Sequence, residues 1–219
     1  MRTALIVGAT GLVGKQCLYQ LLEDKEYLKV VALVRKEMPI KHHKLEQVIV
    51  NFDKLEKYST AMKVDDVFCC LGTTIGVAKT QENFRKVDYD YPLKVAELAF
   101  KNGANQYMLV SSMGASKTSS IFYSRVKGEL EESIAKLSYS SFHVFRPSML
   151  LGDRKEFRLG EIIGKYVMKI MGVLFIGPLA KYKAIQGIVV AKAMVRTAIK
   201  NISGNHIHLS DEIQRLGSK

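Results

Sequence analysis

Three glycines at three-residue spacing, Gly8, Gly11 and Gly14, come directly after a short apolar run near the beginning of the chain. The run over residues 3–7 is typical of a buried strand, and residues 15–22 carry apolar side chains at helical intervals. A strand, a glycine-rich turn and a helix in this order predict a pyrophosphate site. Gly8 would permit the tight turn, Gly11 would let phosphates approach the backbone, and Gly14 would let the helix pack against the strand. The same spacing would also suit a tight turn that binds no ligand.

The rest of the chain alternates between apolar runs and amphipathic segments, which predicts an α/β fold with a doubly wound parallel sheet of the Rossmann type. Further strands are predicted over 28–34, 47–50, 106–112, 142–150 and 206–209, and over 66–74 a strand that runs into a turn at residues 72–74. Helices are predicted over 84–101 and 188–199. A chain of 219 residues fits one such domain, 1–219. The alternation breaks after residue 153, so we expect residues 153–187 to form a small, mostly apolar substrate cap.

The composition restricts the partners that this chain can have. Its formal net charge of +12 attracts polyanions such as a phosphorylated cofactor, an anionic membrane surface or a nucleic acid. The lysines are spread over the whole length without an aromatic-interleaved basic motif, so we expect no nucleic-acid partner. Lysines alternate with apolar residues over 161–183, which leaves a peripheral membrane contact open, although a cap helix packed on its own domain explains them better. No apolar stretch reaches the roughly 18 residues that a spanning helix needs.

The three cysteines, of which Cys69 and Cys70 are adjacent, form neither a disulfide framework nor a metal-binding pair. We interpret both as core residues of a reduced, cytoplasmic protein. His206 and His208 would point the same way from a strand, but no third ligand is evident in the sequence, so no metal site is expected.

Two cations, Arg35 and Lys36, end the second predicted strand, about 20 residues beyond the glycines. A cofactor that lacks a 2′-phosphate usually meets an acidic residue there, whereas a guanidinium can bind a 2′-phosphate through two hydrogen bonds. The pattern therefore favours NADP(H) over NAD(H), although strand ends also carry solvated cations. Asp53 follows the third strand, where it could bind the adenine amino group or cap a helix. Gly72 and Thr73 follow the fourth strand and would lie beside the ribose and pyrophosphate.

Ser111 and Ser112 end the fifth predicted strand, and Tyr123 comes eleven positions after Ser112, with Lys127 four positions further on. Residues four apart share a helix face, so the Lys127 ammonium would favour the ionised form of the Tyr123 phenol. Such a phenol can exchange a proton with a substrate oxygen near neutral pH. A serine hydroxyl can bind the same oxygen, and we assign this role to Ser112, with Ser111 as the alternative. Tyr-x-x-x-Lys alone is common, and only its combination with the glycine turn and the strand that ends in serines supports the prediction.

With these motifs the chain resembles an atypical short-chain dehydrogenase/reductase. Residues 68–74 (FCCLGTT), 144–147 (VFRP) and 150–154 (LLGDR) are similar, more narrowly, to the Tat-interacting-protein oxidoreductases and their bacterial relatives. The resemblance implies an NADPH-binding Rossmann domain in which Tyr123 exchanges the proton and Lys127 binds the nicotinamide ribose. It also implies a cofactor lining of Thr10, Leu12, Val13, Arg35, Lys36, Leu71, Gly72, Leu150 and Arg158. One position departs from the pattern, because Asp88 stands where extended members often carry the Asn of a proton relay.

The residues and the resemblance together predict an NADP(H)-dependent oxidoreductase that interconverts a small carbonyl compound and an alcohol. In the reducing direction the nicotinamide would deliver hydride, Tyr123 would protonate the oxygen and Ser112 would hold it. The alternative is a non-catalytic NADPH-binding regulatory protein that acts through a protein partner. Arg146, near the end of the sixth strand, is expected to form a structural ion pair rather than to bind a ligand. The sequence identifies neither the substrate nor the oligomeric state.

Overall fold

A seven-stranded parallel sheet forms the centre of the protein in a computed structural model that describes residues 1–152 and 182–218. The strands are β1 (Arg2–Val7), β2 (Tyr27–Val34), β3 (Leu45–Ile49), β4 (Asp66–Cys69), β5 (Gln106–Val110), β6 (Ser141–Arg146), β7 (Leu150–Leu151), β8 (Ile185–Gln186) and β9 (Gly204–Leu209). Their order along the large sheet is β3-β2-β1-β4-β5-β6-β9, so the direction of winding reverses between β1 and β4. β7 and β8 form a separate parallel pair. This is the doubly wound arrangement that the sequence predicts, and its ligand crevice is expected at the reversal.

Helices cover both faces of the sheet, so β1 is buried along most of its length. They are α1 (Leu12–Glu23), a 3₁₀ helix (Phe52–Met62), α2 (Ile75–Ala78), α3 (Gln81–Arg85), a π-helical segment (Lys86–Asp90), α4 (Tyr91–Lys101), α5 (Phe122–Ala135), α6 (Gly187–Lys200) and α7 (Ser210–Ser218). Ala4 and Ile6 of β1 contribute to an apolar cluster with α1 and α6. Leu5 and Val7, which point to the other face, contribute to a cluster with α4 and α5. The two-sided burial explains why the predicted strands are apolar at successive positions.

Several predicted boundaries are wrong, each for a local reason. The helix predicted over 84–101 consists of α3, the π-helical segment and α4. Pro92 lies in the first turn of α4, directly after the π-helical segment, and has no N–H to donate to the preceding turn. The strand predicted over 142–150 ends at Arg146, because Pro147 follows and cannot donate to a strand ladder. The fourth predicted strand, expected to run into a turn at residues 72–74, already ends at Cys69, and the strand predicted over 106–112 ends at Val110. The 3₁₀ helix and α7 lie outside the predicted elements.

Cys17 and Cys69 are buried, Cys70 is half-buried, and all three are free thiols. Burial raises the pKa of the Cys69 thiol to about 11, consistent with its interpretation as a core residue. In the described ranges, 1–152 and 182–218, no helix combines the length and the apolar character needed to cross a membrane. Within those ranges no set of three or more His, Cys, Asp or Glu side chains is arranged to hold a metal ion.

Candidate active site

The glycine turn joins β1 to α1 and lies beside the reversal of the strand order. Gly8 has a φ angle of +80°, and an ideal Cβ on it would lie 2.5 Å from the carbonyl carbon and oxygen of Cys70. An ideal Cβ on Gly14 would lie 2.1 Å from the Gly8 carbonyl oxygen. Both positions therefore need glycine, one for the conformation of the turn and the other for the close approach of the helix.

Gly11 is different, because neither its conformation nor its packing requires glycine. It caps α1 with φ and ψ angles of −78° and 173°, and an ideal Cβ would lie 3.3 Å from the Gly8 carbonyl oxygen. Within the described part of the chain, no side chain caps this helix. The first N–H groups of a helix and its positive dipole end attract anions, so a residue without a side chain here leaves room for a phosphate.

The other residues predicted around this turn have different surroundings. Thr10 is exposed, whereas the Val13 side chain is buried in the apolar cluster of α1 and α6, so only its backbone is placed to contact a cofactor. Leu12 packs against Gly152, whose ideal Cβ would lie 2.4 Å from the Leu12 Cδ1. Leu150 is partly buried against the cluster that contains Val13.

A second turn follows β4, directly beside the glycine turn. Leu71 packs partly against the apolar cluster of α4 and α5, and Gly72 is exposed. An ideal Cβ on Gly72 would lie 3.5 Å from the Lys127 Nζ and 3.3 Å from the Asp88 Oδ1. The N–H of Thr73 donates to the Asp88 carboxylate at 2.8 Å. The second turn therefore connects the predicted cofactor turn with the lysine of α5.

Arg35 and Lys36 lie exposed just beyond the end of β2. Among the residues that the structure describes, neither side chain has a hydrogen bond or an ion pair.

Asp53 is also exposed, but its carboxylate is held by the Lys86 ammonium at 2.7 Å and by the Tyr91 hydroxyl at 2.6 Å. These two hydrogen bonds lower the pKa of Asp53.

The helix-cap alternative for Asp53 is wrong. The side-chain oxygen of Asn51 accepts the Asp53 N–H at 2.9 Å, so Asn51 caps the 3₁₀ helix. A contact between Asp53 and adenine stays a prediction, and it would have to coexist with the two bonds that the carboxylate already makes.

The helix α5 carries Tyr123 and Lys127. The Tyr123 ring packs against Phe84 of α3 with ring centroids 5.5 Å apart. Lys127 is buried, with 5% of its side chain exposed, and its Nζ lies 2.8 Å from the Asp88 Oδ1. Burial opposes the charge of this ammonium, but the neighbouring Asp88 carboxylate and Tyr123 favour it, and the pKa of Lys127 is raised to about 12.

The two serines after β5 differ in their hydrogen bonds. The Ser111 hydroxyl donates to the Glu131 carboxylate of α5, which also forms an ion pair with Arg146. Arg146 thus has the structural ion pair that the sequence predicts. The Ser112 Oγ is buried and has no hydrogen-bond partner within the described part of the chain. The loop after Ser112 passes close over α5, because an ideal Cβ on Gly128 would lie 2.3 Å from the Lys117 backbone nitrogen.

Two acidic residues of this region lie outside the predicted site. Glu131 accepts the hydrogen bond of the Ser111 hydroxyl. It lies four residues after Lys127 on α5, and this spacing on one helix face could have indicated that Glu131 belongs to the site. In the sequence, Asp88 stands out only as a departure from the family pattern, and no local pattern indicates its contact with Lys127. Arg158 and most of the predicted cap, residues 153–181, lie outside the described residues.

The fold and this arrangement define a protein built to bind a nicotinamide dinucleotide, and its relatives agree. The family described as NAD(P)H-binding matches residues 8–150. The chain therefore belongs to this family, and it is an atypical short-chain dehydrogenase/reductase, as the resemblance predicts.

Among individual proteins, the chain is 37% identical to protein HTATIP2 of Rattus norvegicus over 207 residues, which cover 93% of this chain and 84% of that protein. It is 34% identical to the mitochondrial protein FMP52 of Eremothecium gossypii over 171 residues, which cover 78% of this chain and 75% of that protein. Both are homologues of this chain.

Solved structures share the fold at low sequence identity. A short-chain dehydrogenase/reductase superfamily protein from Agrobacterium tumefaciens with bound NAD has a TM-score of 0.72 and 13% identity, over 96% of this chain and 78% of that one. The UDP-glucose 4-epimerase of Thermotoga maritima with UDP-glucose has a TM-score of 0.70 and 12% identity, over 99% and 81% of the two chains. These likenesses confirm the α/β Rossmann-like fold.

Proposed function

We propose that the protein is an NADP(H)-dependent oxidoreductase that interconverts a small carbonyl compound and the corresponding alcohol. In this proposal the cofactor binds at the glycine turn and supplies or removes the hydride. Tyr123 exchanges a proton with the substrate oxygen, and Ser112 donates a hydrogen bond to the same oxygen. Lys127 binds the nicotinamide ribose and keeps a positive charge beside the phenol.

The observation that carries this proposal is the buried hydroxyl of Ser112, which has no hydrogen-bond partner among the described residues. A buried polar group without a hydrogen bond costs on the order of 1–3 kcal/mol, so such a group usually finds a partner in a ligand or a bound water. The adjacent Ser111 hydroxyl is already used by Glu131. A substrate oxygen that accepts a hydrogen bond from Ser112 would remove this cost, which supports the assignment of Ser112 over Ser111.

The preference for NADP(H) over NAD(H) is supported by the basic end of β2. Arg35 is exposed and without a partner among residues 1–152 and 182–218, so its guanidinium can form two charge-assisted hydrogen bonds with a 2′-phosphate. Lys36 adds a second positive charge at the same strand end.

An absorbance assay at the NADPH band tests the proposal on a panel of aldehydes, ketones and quinones. We expect turnover of at least one compound, faster with NADPH than with NADH. Tight NADPH binding with no turnover on a broad panel would instead favour a regulatory protein that binds a partner when loaded with NADPH.

We also propose that the protein works in the cytoplasm, because its three cysteines are free thiols and reducing compartments keep thiols in that form. The name of the FMP52 relatives includes the word mitochondrial, so the mitochondrion is the competing compartment. Fractionation of cells that express the full chain at its natural level separates the two.

A further inference from the structure

Asp88 makes buried contacts with Thr73 and Lys127, and it has no role in the proposed chemistry. The residue is completely buried in the π-helical segment Lys86–Asp90. Its Oδ2 accepts the Thr73 N–H at 2.8 Å, and its Oδ1 lies 2.8 Å from the Lys127 Nζ. One carboxylate therefore links the turn after β4, the π-helical segment and α5.

The surroundings of Lys127 show why this carboxylate matters. The ammonium is almost fully withdrawn from water, which disfavours its charge. The titratable groups that act on it are Asp88 from the π-helical segment, Tyr123 from its own helix and Cys69 from β4. Of these three groups, only Asp88 belongs to a residue type whose ordinary pKa leaves it negatively charged at neutral pH.

We propose that Asp88 is a positioning residue that holds the Lys127 ammonium in place as its fixed counter-ion and thereby sets the pH range in which the Tyr123–Lys127 pair keeps both protons. The proposal rests on the proposed function for its catalytic meaning. The ion pair itself is a property of the folded chain and can be tested without a substrate.

The direction of the effect follows from charge alone. Tyr123 contributes to the raised pKa of Lys127, so the two side chains act as a pair. The first loss of a proton removes one positive charge from this pair, whichever side chain releases it. A fixed negative charge in contact with the pair opposes that loss and moves the first step to higher pH.

The most informative variant is Asp88→Asn, because the amide has nearly the same shape as the carboxylate. Its oxygen can still accept the Thr73 N–H, so the turn after β4 keeps its anchor while the negative charge is lost. Asp88→Glu keeps the charge on a longer side chain. Asp90→Asn is the matched control, since Asp90 is an exposed acid in the same π-helical segment and gives the same change of net charge.

The first measurement is the titration of the Lys127 side chain by NMR of protein labelled in lysine side chains, with Lys127→Met used to assign the signal. Wild-type Lys127 should stay protonated to the alkaline limit of the folded protein. In Asp88→Asn the first proton loss should move to lower pH by about 1 to 3 units, whereas Asp88→Glu and Asp90→Asn should stay close to wild type. If Asp88 only anchored the turn after β4 through the Thr73 N–H, the substitution would change stability and leave the titration of Lys127 in place.

The second measurement is the pH profile of NADPH-dependent carbonyl reduction, which needs the protonated pair. Its alkaline limb should move in the same direction in Asp88→Asn and remain in place in Asp90→Asn. A shifted Lys127 titration in a protein that turns nothing over would support the ion pair and count against the proposed function.

Turnover with an unshifted limb and an unshifted titration in folded Asp88→Asn would support the function and overturn this inference. If Asp88→Asn does not fold, the wild-type titration decides alone, and a Lys127 that loses its proton near its ordinary pKa or below would overturn the inference.

Discussion

Ser111 and Ser112 are adjacent in the chain, but the Ser111 hydroxyl donates to Glu131 while the Ser112 hydroxyl is buried without a partner within the described residues. One of these side chains is thus part of a structural network that ties α5 to β6, because Glu131 also pairs with Arg146. The Ser112 hydroxyl can donate a hydrogen bond to a ligand. This difference assigns separate roles to two residues that look equivalent in the sequence.

We expect Ser112→Ala to reduce carbonyl turnover without loss of stability, because the substitution removes a hydroxyl that has no hydrogen-bond partner in residues 1–152 and 182–218. Ser111→Ala should do the reverse and cost about 1.5–3 kcal/mol of unfolding free energy, since it removes a hydrogen bond to a charged group. Urea unfolding and steady-state kinetics on both variants check this. Equal kinetic losses would mean that the two serines are not distinguished as the contacts suggest.

Gly11→Val should abolish NADPH binding in a protein that still folds. Among the described residues, an ideal Cβ at residue 11 comes no closer than 3.3 Å to the Gly8 carbonyl oxygen, a tight contact that a shift of a few tenths of an ångström relieves. The added side chain nevertheless occupies the space that a phosphate needs. Gly14→Ala is the contrasting variant and should destabilise the fold, because its Cβ would lie 2.1 Å from the Gly8 carbonyl oxygen. Calorimetric titration and thermal unfolding separate the two effects. Normal NADPH affinity in folded Gly11→Val would refute this reading of the turn.

Arg35→Ala should weaken NADPH binding about tenfold or more and leave NADH binding nearly unchanged. The reason is the loss of charge-assisted hydrogen bonds worth roughly 1.5–3 kcal/mol to the 2′-phosphate, a group that NADH lacks. Arg215→Ala, on the exposed side of α7, removes the same charge as a control. Parallel titrations with both cofactors decide the matter, and equal losses for NADPH and NADH would show that Arg35 is not the selector.

The protein should lose stability in acid through His143 of β6. Its ring stacks with His206 and His208 of β9, and burial, followed by the two neighbouring histidines, lowers the pKa of His143 to about 4. The His143 ring takes up a proton near pH 6.5 in the unfolded chain but only near pH 4 in the folded chain. Its contribution to the free energy of unfolding is therefore fully present above about pH 6.5 and is lost as the pH falls toward 4, by at most about 3 kcal/mol.

Urea unfolding of wild type and His143→Gln at a series of pH values isolates this contribution, because the other acid-sensitive groups are common to both proteins. The variant should show a shallower decline. Parallel curves for the two proteins would exclude His143 as a source of the acid sensitivity.

The parts of this protein that could be predicted from its sequence are those fixed by local patterns. The glycine turn and the order of strands and helices follow from apolar runs and small residues that are close together in the chain. The contact of Asp88 with Lys127 could not be predicted, because the two residues are 39 positions apart in the chain and their side chains come within 2.8 Å only through the tertiary fold.

The distinction between Ser111 and Ser112 is a similar case. It depends on Glu131, which lies on a helix beyond the intervening loop and whose side chain reaches back to only one of the two hydroxyls. The cap predicted over 153–187 and the role of Arg158 stay predictions, because residues 153–181 lie outside the described residues.

If Tyr123 exchanges the proton in an NADP(H)-dependent carbonyl reduction, removal of its hydroxyl in Tyr123→Phe should largely stop the reaction. The substitution removes one hydroxyl and keeps the ring, which packs against Phe84. We expect turnover of a compound that the wild type reduces to fall by about 10²–10⁴-fold, while NADPH affinity stays close to the wild-type value. A Tyr123→Phe variant that reduces the same compound as fast as the wild type would contradict the account.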